Sequence, residues 1–122
     1  ERPLAIKGLT HITSDGLLNL LRLHTDSEPV GYVIDRLPPV PPIFSLIQQS
    51  GNIPDYEMFR VFNMGIGFCV VAAEGDAEPF RKIVKKHGRE AYQIGRVVAD
   101  PEQRVLIQPY GLVGKGNTFF KV

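Results

Sequence analysis

Gly67-Phe68-Cys69-Val70-Val71-Ala72-Ala73, followed by Asp76, by the stretch Ala77 to His87 and by Ala91 to Val98, decides how this chain folds. The first run is short, apolar and entered through glycine, which suits a buried strand. Asp76 stands where a helix N-cap belongs, Phe80, Ile83 and Val84 recur at helical spacing, and Gly88 marks the helix end. Ala91 to Val98 then reads as a second strand, so residues 67 to 98 form a strand–helix–strand unit.

Upstream, Leu4 to Thr13 is rich in apolar and β-branched residues and runs into the turn-forming set Ser14-Asp15-Gly16. Leu17, Leu18, Leu20, Leu21 and Leu23 supply an apolar helical face, with Ser14 or Asp15 placed to cap its first turn. Thr25 to Pro29 breaks that helix, and Val30 to Asp35 reads as a short strand. The prolines at 38, 39, 41 and 42 exclude a sheet or helix interior, but Pro42 suits a first helical position. A helix from about Pro42 to Ser50 follows, with Ile43, Phe44, Leu46 and Ile47 expected on its buried side and Gly51 as its left-handed terminator. Pro54 to Phe62 gives a second short helix with acidic residues near its positive end.

Downstream, Arg104 to Gln108 reads as a strand joined to the preceding one by Asp100-Pro101-Glu102, and Thr118 to Val122 as a further edge strand. Gly111 to Gly116 superficially suggests a phosphate loop. Pro109 occupies the early glycine position, however, and no Ser or Thr follows Lys115, so a flexible tail is expected. The fold class is α/β, more narrowly an α+β sandwich with a mixed sheet packed with helices, in a single domain over residues 1–122.

With 43% hydrophobic and 22% charged residues in 122, the chain has the composition of an ordinary globular domain. A formal net charge of +1 gives no footprint for nucleic acid or an acidic membrane surface. The one cysteine, Cys69, excludes an internal disulfide and reads as core, compatible with a reducing cytosol. No apolar run approaches the roughly 20 residues of a membrane helix, and the expected location is the cytoplasm. The first strand arrives without an initiating methionine or leader, which suggests a domain cut from a longer polypeptide.

Two stretches could carry chemistry. Thr10-His11-Ile12-Thr13-Ser14-Asp15-Gly16 puts an imidazole and hydroxyls at a strand end before a helix N-terminus, where a phosphate or developing negative charge could be held. Taken alone, these residues lean towards a capped helix with His11 hydrogen-bonded nearby. Asn63-Met64-Gly65-Ile66-Gly67 lets the backbone turn sharply or approach a ligand, although a bare structural turn serves the pattern as well. Arg81, Lys82, Lys85, Lys86 and Arg89 read as a solvated helix face that suits the helix dipole. His24 and His87 stand near helix ends, and no cluster has metal-ligand spacing.

Lys7 to Thr13, Pro39-Val40-Pro41-Pro42-Ile43-Phe44, Glu57 to Gly67 and Ala91 to Val97 occur in an order and combination that resembles the C-terminal domain of AIR synthases, the phosphoribosylformylglycinamidine cyclo-ligases. The resemblance covers most of the chain and turns the reading of the glycine bend from a bare turn to part of a site. It implies a dimeric, two-domain enzyme in which an N-terminal domain, absent from this chain, binds ATP and magnesium. The C-terminal domain closes one side of the cleft for a small nucleotide substrate. In that family ATP phosphorylates the amide oxygen of formylglycinamidine ribonucleotide, and an amidine nitrogen then closes the aminoimidazole ring, chemistry that rests on positioning and charge stabilisation.

Carried onto this sequence, the resemblance makes His11 the catalytic candidate, and Thr13, Ser14, Gly16 and Asn63 substrate-binding candidates. Gly65 and Gly67 would shape the cleft, and no metal ligand or cofactor is expected in this segment itself. Relatives usually have three glycines after the threonine, where this chain has Ser14 and Asp15 before Gly16. Asn19-Leu20 stands for their Glu-Asn pair, or the pair is shifted by one place, and Arg22-Leu23 stands for their Pro-Arg. Two other classes stay open: a diverged relative acting on another substrate, as selenophosphate synthetase and thiamine-phosphate kinase do, and a non-catalytic binding or assembly module.

Overall fold

The computed structural model describes residues 4–23 and 28–122 and has the expected mixture of helices with a mixed sheet. His24, and most of the polar break read from Thr25 to Pro29, lie outside the described residues. The strands are β1 (Ile6–His11), β2 (Val30–Ile34), β3 (Phe68–Ala72), β4 (Gly95–Ala99), β5 (Val105–Ile107), β6 (Leu112–Lys115) and β7 (Thr118–Lys121). The helices are α1 (Pro42–Gly51), α2 (Asp55–Val61) and α3 (Ala77–Lys86).

A five-stranded sheet in the order β4-β2-β5-β6-β7 carries most of the domain, and β1 and β3 form a separate antiparallel pair. Strand β2 lies inside the sheet, and its residues Gly31 to Ile34 are all buried, as suits a strand covered on both faces. It pairs antiparallel with β4 and parallel with β5, which makes the sheet mixed. The expected unit over residues 67 to 98 is present as β3, α3 and β4, with β4 starting at Gly95 rather than Ala91; β3 belongs to the small sheet and β4 to the large one. Periodicity reports that a segment is a strand and carries no information on which strand it will pair with.

The flexible tail expected at Gly111 to Gly116 is corrected. Leu112 to Lys115 is β6, hairpinned to β7 with Leu112 and Gly114 buried, and β7 is the edge strand the sequence suggests. Side-chain volume explains the glycine there, since a Cβ at Gly114 would crowd the Phe119 ring and Leu18.

The stretch after β1 is not an α-helix. Gly16–Arg22 is a seven-residue 3-10 segment in which Gly16 to Leu20 are all buried. A segment surrounded by core gains nothing from a one-sided apolar face, and its i to i+3 bonding accommodates leucines on every side. Neither Asp15, which adopts a left-handed conformation at φ 79, nor Asp76 caps the following segment through its side chain. Asp76 Oδ2 instead accepts the Ala5 N–H at 2.8 Å, which ties the start of β1 to the start of α3.

Helix α2 lies where expected and delivers Met58 and Phe59 to the interior. Phe59 packs edge-on against Tyr110 (4.8 Å between centroids) and Phe119 (6.4 Å), joining the helix to the large sheet. Ile12, Leu17, Ile34, Met64, Ile66, Val105 and Ile107 complete one core with them. Helix α1 is different: Phe44 and Ile47 are half-buried, but Ile43 is 53% and Leu46 60% exposed, contrary to the buried face expected. Its left-handed terminator is Asn52 (φ 52) rather than Gly51. Asparagine tolerates that conformation and so replaces glycine one position later.

Candidate functional site

The loop from Ile12 to Gly16 and the bend from Asn63 to Gly67 lie side by side because β1 and β3 pair, with His11 opposite Phe68, and the pairing continues past the strand ends. The Ile12 N–H donates to the Gly67 carbonyl at 2.9 Å, fastening the two segments together. Each segment is also anchored below by apolar side chains, Ile12 and Leu17 from the loop, Met64 and Ile66 from the bend. The intervening residues are thus held at the surface on a fixed base.

His11, Thr13 and Ser14 are exposed there. Asn63 is half-buried, and its Oδ1 accepts the Gly65 N–H at 2.9 Å while its carbonyl accepts the Ile66 N–H at 3.0 Å. This is a side-chain turn, for which Asn is suited. Met64 (φ 55) and Gly65 (φ 95) are both left-handed, which gives the bend its sharpness. A Cβ on Gly65 would meet the ring of Pro41, so the proline cluster and the glycine bend, far apart in sequence, form one contact. Gly67 is exposed, and a Cβ there would meet nothing within 4 Å.

Gly16 is buried, with φ 55, and its Cα is wedged against the carbonyl oxygens of Phe59 and Phe62. Any side chain would collide with backbone, which is the requirement that glycine meets. The expected α-helix N-terminus is replaced by a 3-10 segment entered through a left-handed Asp15, and the Gly16 N–H donates to the Thr13 carbonyl at 3.1 Å. The polar resources of the loop are the exposed side chains of His11, Thr13 and Ser14. Asp15 stands 3.6 Å from Arg22, and that guanidinium offsets the negative charge that the Asp brings into the loop.

Sequence reasoning missed two contributors. Asn19 is 99% buried among leucines, and its Nδ2 donates to the carbonyls of Ser14 (3.0 Å) and Gly16 (2.7 Å), clamping the loop from beneath. Its Oδ1 has no hydrogen-bond partner among the described residues. The Thr10 hydroxyl, in turn, lies 3.5 Å from the Asn19 carbonyl. The available signal was a lone amide in a leucine run, since a buried polar group has to find partners. The second is Pro41, whose contact with Gly65 no local pattern announces.

An open depression of about 540 Å³ lies to one side, between Asp15 and Arg22 at one wall and Glu102, in the turn between β4 and β5, and Lys115 of β6 at the other. It includes none of His11, Thr13, Ser14 and Asn63, so it is not the meeting place of the candidate residues. Cys69, on β3, is buried, and desolvation pushes its thiol up to about 11, which makes it an inert part of the core. Among the described residues no three His, Cys, Asp or Glu side chains could hold a metal ion, and no helix is long and apolar enough to cross a membrane.

The family profile described as AIR synthase related protein, C-terminal domain, matches residues 3–108. A phosphoribosylformylglycinamidine cyclo-ligase of Methanocaldococcus jannaschii is 50% identical over 98 residues, 80% of this chain and 27% of that protein. The proteins of the same name from Methanococcus maripaludis strain C6 and Pyrococcus horikoshii are 49% identical over 92 residues and 40% identical over 107 residues. These alignments cover 75% and 88% of this chain, and 26% and 30% of the respective relatives. The chain thus spans between a quarter and a third of the length of these relatives.

Proposed function

The chain belongs to the family of AIR synthase related C-terminal domains, and from that premise we propose that it is the substrate-cleft domain of a cyclo-ligase that converts formylglycinamidine ribonucleotide to aminoimidazole ribonucleotide. The observation that carries this is the hydrogen bond from Ile12 to Gly67, which places the His11–Ser14 loop beside the Asn63–Gly67 bend as adjoining parts of one surface. The names of relatives at 40% to 50% identity favour it over a diverged superfamily member or a non-catalytic module.

In this proposal the exposed hydroxyls of Thr13 and Ser14 donate to phosphoryl or amide oxygens of the substrate. The His11 imidazole holds or relays a proton beside them. The left-handed bend at Met64 and Gly65 shapes the neighbouring rim, with Asn63 holding it in register. Ring closure is intramolecular, so the domain's contribution is to hold amide and amidine in attack geometry and to exclude water.

In this proposal no step is assigned to ATP or magnesium on this chain. ATP dependence belongs in the proposal to the polypeptide that precedes the domain in its relatives, as do pairing with that N-terminal domain, the homodimer and the cytoplasmic location. Expressing the complete polypeptide and assaying ATP-dependent formation of aminoimidazole ribonucleotide tests the reading. Turnover is expected from the complete protein and none from residues 1–122 alone. A complete protein that folds, binds ATP and forms no ring would refute it.

A further inference from the structure

Asn19 is a polar residue at a core position. It is 1% exposed and stands in sequence between Leu17, Leu18 and Leu20, all of them in the core. Its Oδ1 is a buried acceptor with no partner among the described residues. An orphaned buried acceptor costs stability, so an apolar side chain would serve the core better. Turning the amide round brings no cure, because its Nδ2 faces two carbonyl oxygens that only a donor can satisfy. What the residue supplies is therefore its pair of donors, at 3.0 Å to the Ser14 carbonyl and 2.7 Å to that of Gly16. Those carbonyls flank Asp15, and Asp15 (φ 79) and Gly16 (φ 55) are consecutive left-handed residues. A conformation of this kind persists where its surroundings over-determine it. Two main-chain bonds, from the Gly16 N–H to Thr13 and from the Leu18 N–H to Asp15, both 3.1 Å, hold the turn from within, and Asn19 grips it from the core.

We infer that Asn19 is the positioning residue of the loop from His11 to Gly16. Its amide fixes the peptide planes on either side of Asp15 and so sets the direction in which Thr13 and Ser14 present their hydroxyls to phosphoryl or amide oxygens of the substrate. The inference rests on the cyclo-ligase reading for the identity of that substrate. Asn19 itself is closed off beneath the loop and acts through it. The Ser14 carbonyl and the Ser14 hydroxyl hang from the same Cα, so freeing one lets the other drift. Thr13 is tied into the same turn, because its carbonyl accepts the Gly16 N–H. Without the amide, the carbonyl of the exposed Ser14 can turn to water, so the loop relaxes while the core beneath it stays closed. A misplacement of about 1 Å at a reacting group costs up to a hundred-fold in rate, so relaxation of this size reaches the chemistry.

The test uses the complete polypeptide with Asn19→Leu, and Leu112→Ala, a truncation of a buried residue on β6, as the comparison. Three quantities are read: KM for formylglycinamidine ribonucleotide, the unfolding midpoint, and hydrogen exchange at the Asp15 and Gly16 amides. Asn19→Leu is expected to raise KM and to speed loop exchange, each on the order of ten-fold. Leu112→Ala is expected to lower the midpoint and to leave KM and loop exchange as in the parent. Parental KM and loop exchange in Asn19→Leu would overturn the proposal. Equal changes in the two variants would also overturn it, since the loop would then follow general stability. If Asn19→Leu does not fold, Asn19→Asp decides: it has the same shape, its protonated carboxyl still donates one bond, and its ionised form donates none. Burial raises the pKa of such a carboxyl, so the ratio of its KM to the parent's is expected to rise from about pH 5 to about pH 8, and a flat ratio would overturn the proposal. A folded parent without turnover sinks the cyclo-ligase reading instead, and loop exchange in the variants still decides for Asn19.

Discussion

Gly65 lies against Pro41 so closely that a Cβ at position 65 would fall 2.5 Å from Pro41 Cδ and 3.0 Å from Cγ. The proline cluster thus acts as a buttress behind the glycine bend, and the two sequence motifs are halves of one contact. Replacing Gly65 by Ala brings both this collision and a φ of 95, in a region that L side chains rarely adopt. Strain of this kind costs on the order of 2 kcal/mol. A fall of that size in urea-unfolding free energy is expected for Gly65→Ala, and little change for Gly67→Ala, where a Cβ meets nothing. Equal stability losses at the two positions would contradict the contact.

Gly16 makes a harder demand. Its added Cβ would lie 2.6 Å from the Phe62 carbonyl oxygen and closer still to that of Phe59, and neither backbone atom can step aside as a side chain can. Gly16→Ala is expected to destabilise by on the order of 3 kcal/mol. Thermal unfolding followed by circular dichroism checks this, and a variant with unchanged midpoint would show that the loop does not pack against α2 as described.

His11 and Thr13 are exposed, so their substitution separates chemistry from folding. His11→Ala is expected to change stability by no more than about 0.5 kcal/mol. On the proposed cyclo-ligase reading, the same change in the complete polypeptide should lower kcat on the order of a hundred-fold, the usual scale for loss of a positioned proton carrier. Thr13→Val should raise KM for the proposed nucleotide substrate. Steady-state kinetics on folded variants decide, and wild-type constants for both would remove these residues from the site.

Asp100 gives a pH signature. Its carboxylate accepts from the Arg104 side chain at 3.0 Å and from the backbone N–H groups of Glu102 and Arg104, both at 3.1 Å. The Arg104 hydrogen bond is the largest influence and holds the carboxyl below its ordinary range, against the opposing effect of burial. Because the folded value is depressed, the stabilisation is present above the unfolded carboxyl value of about 3.9 and is lost as pH falls through the folded one. Asp100→Asn should therefore melt below the parent at pH 7, with the gap narrowing below pH 4. A constant gap across that range would contradict the assignment.

The sequence revealed the elements better than it revealed their environments. Glycine and proline punctuation located α2, α3, β2 and the bend at Asn63 to Gly67, because those residues act on the local backbone. Whether a face is covered depends on the rest of the molecule. Ile43 and Leu46 form an apolar stripe on α1 that stays open, and the leucines from 17 to 21 form one that becomes a 3-10 segment enclosed on most sides. Of the candidate site, residue types alone leaned towards a capped helix and a bare turn, and the family resemblance was what singled out the two surface segments. The clamp from Asn19 and the support from Pro41 were not legible, since both arise from contacts between segments that composition does not encode.

The enclosure of Gly16 to Leu20 also constrains how this stretch can change over evolutionary time. With about three residues per turn, adding or deleting a single residue rotates everything after it by roughly 120°, swinging the Asn19 amide away from the two carbonyls it grips. Leucine can give way to isoleucine or methionine here at modest cost. The length of the stretch is the stricter inheritance: homologues should vary its letters far more readily than their number.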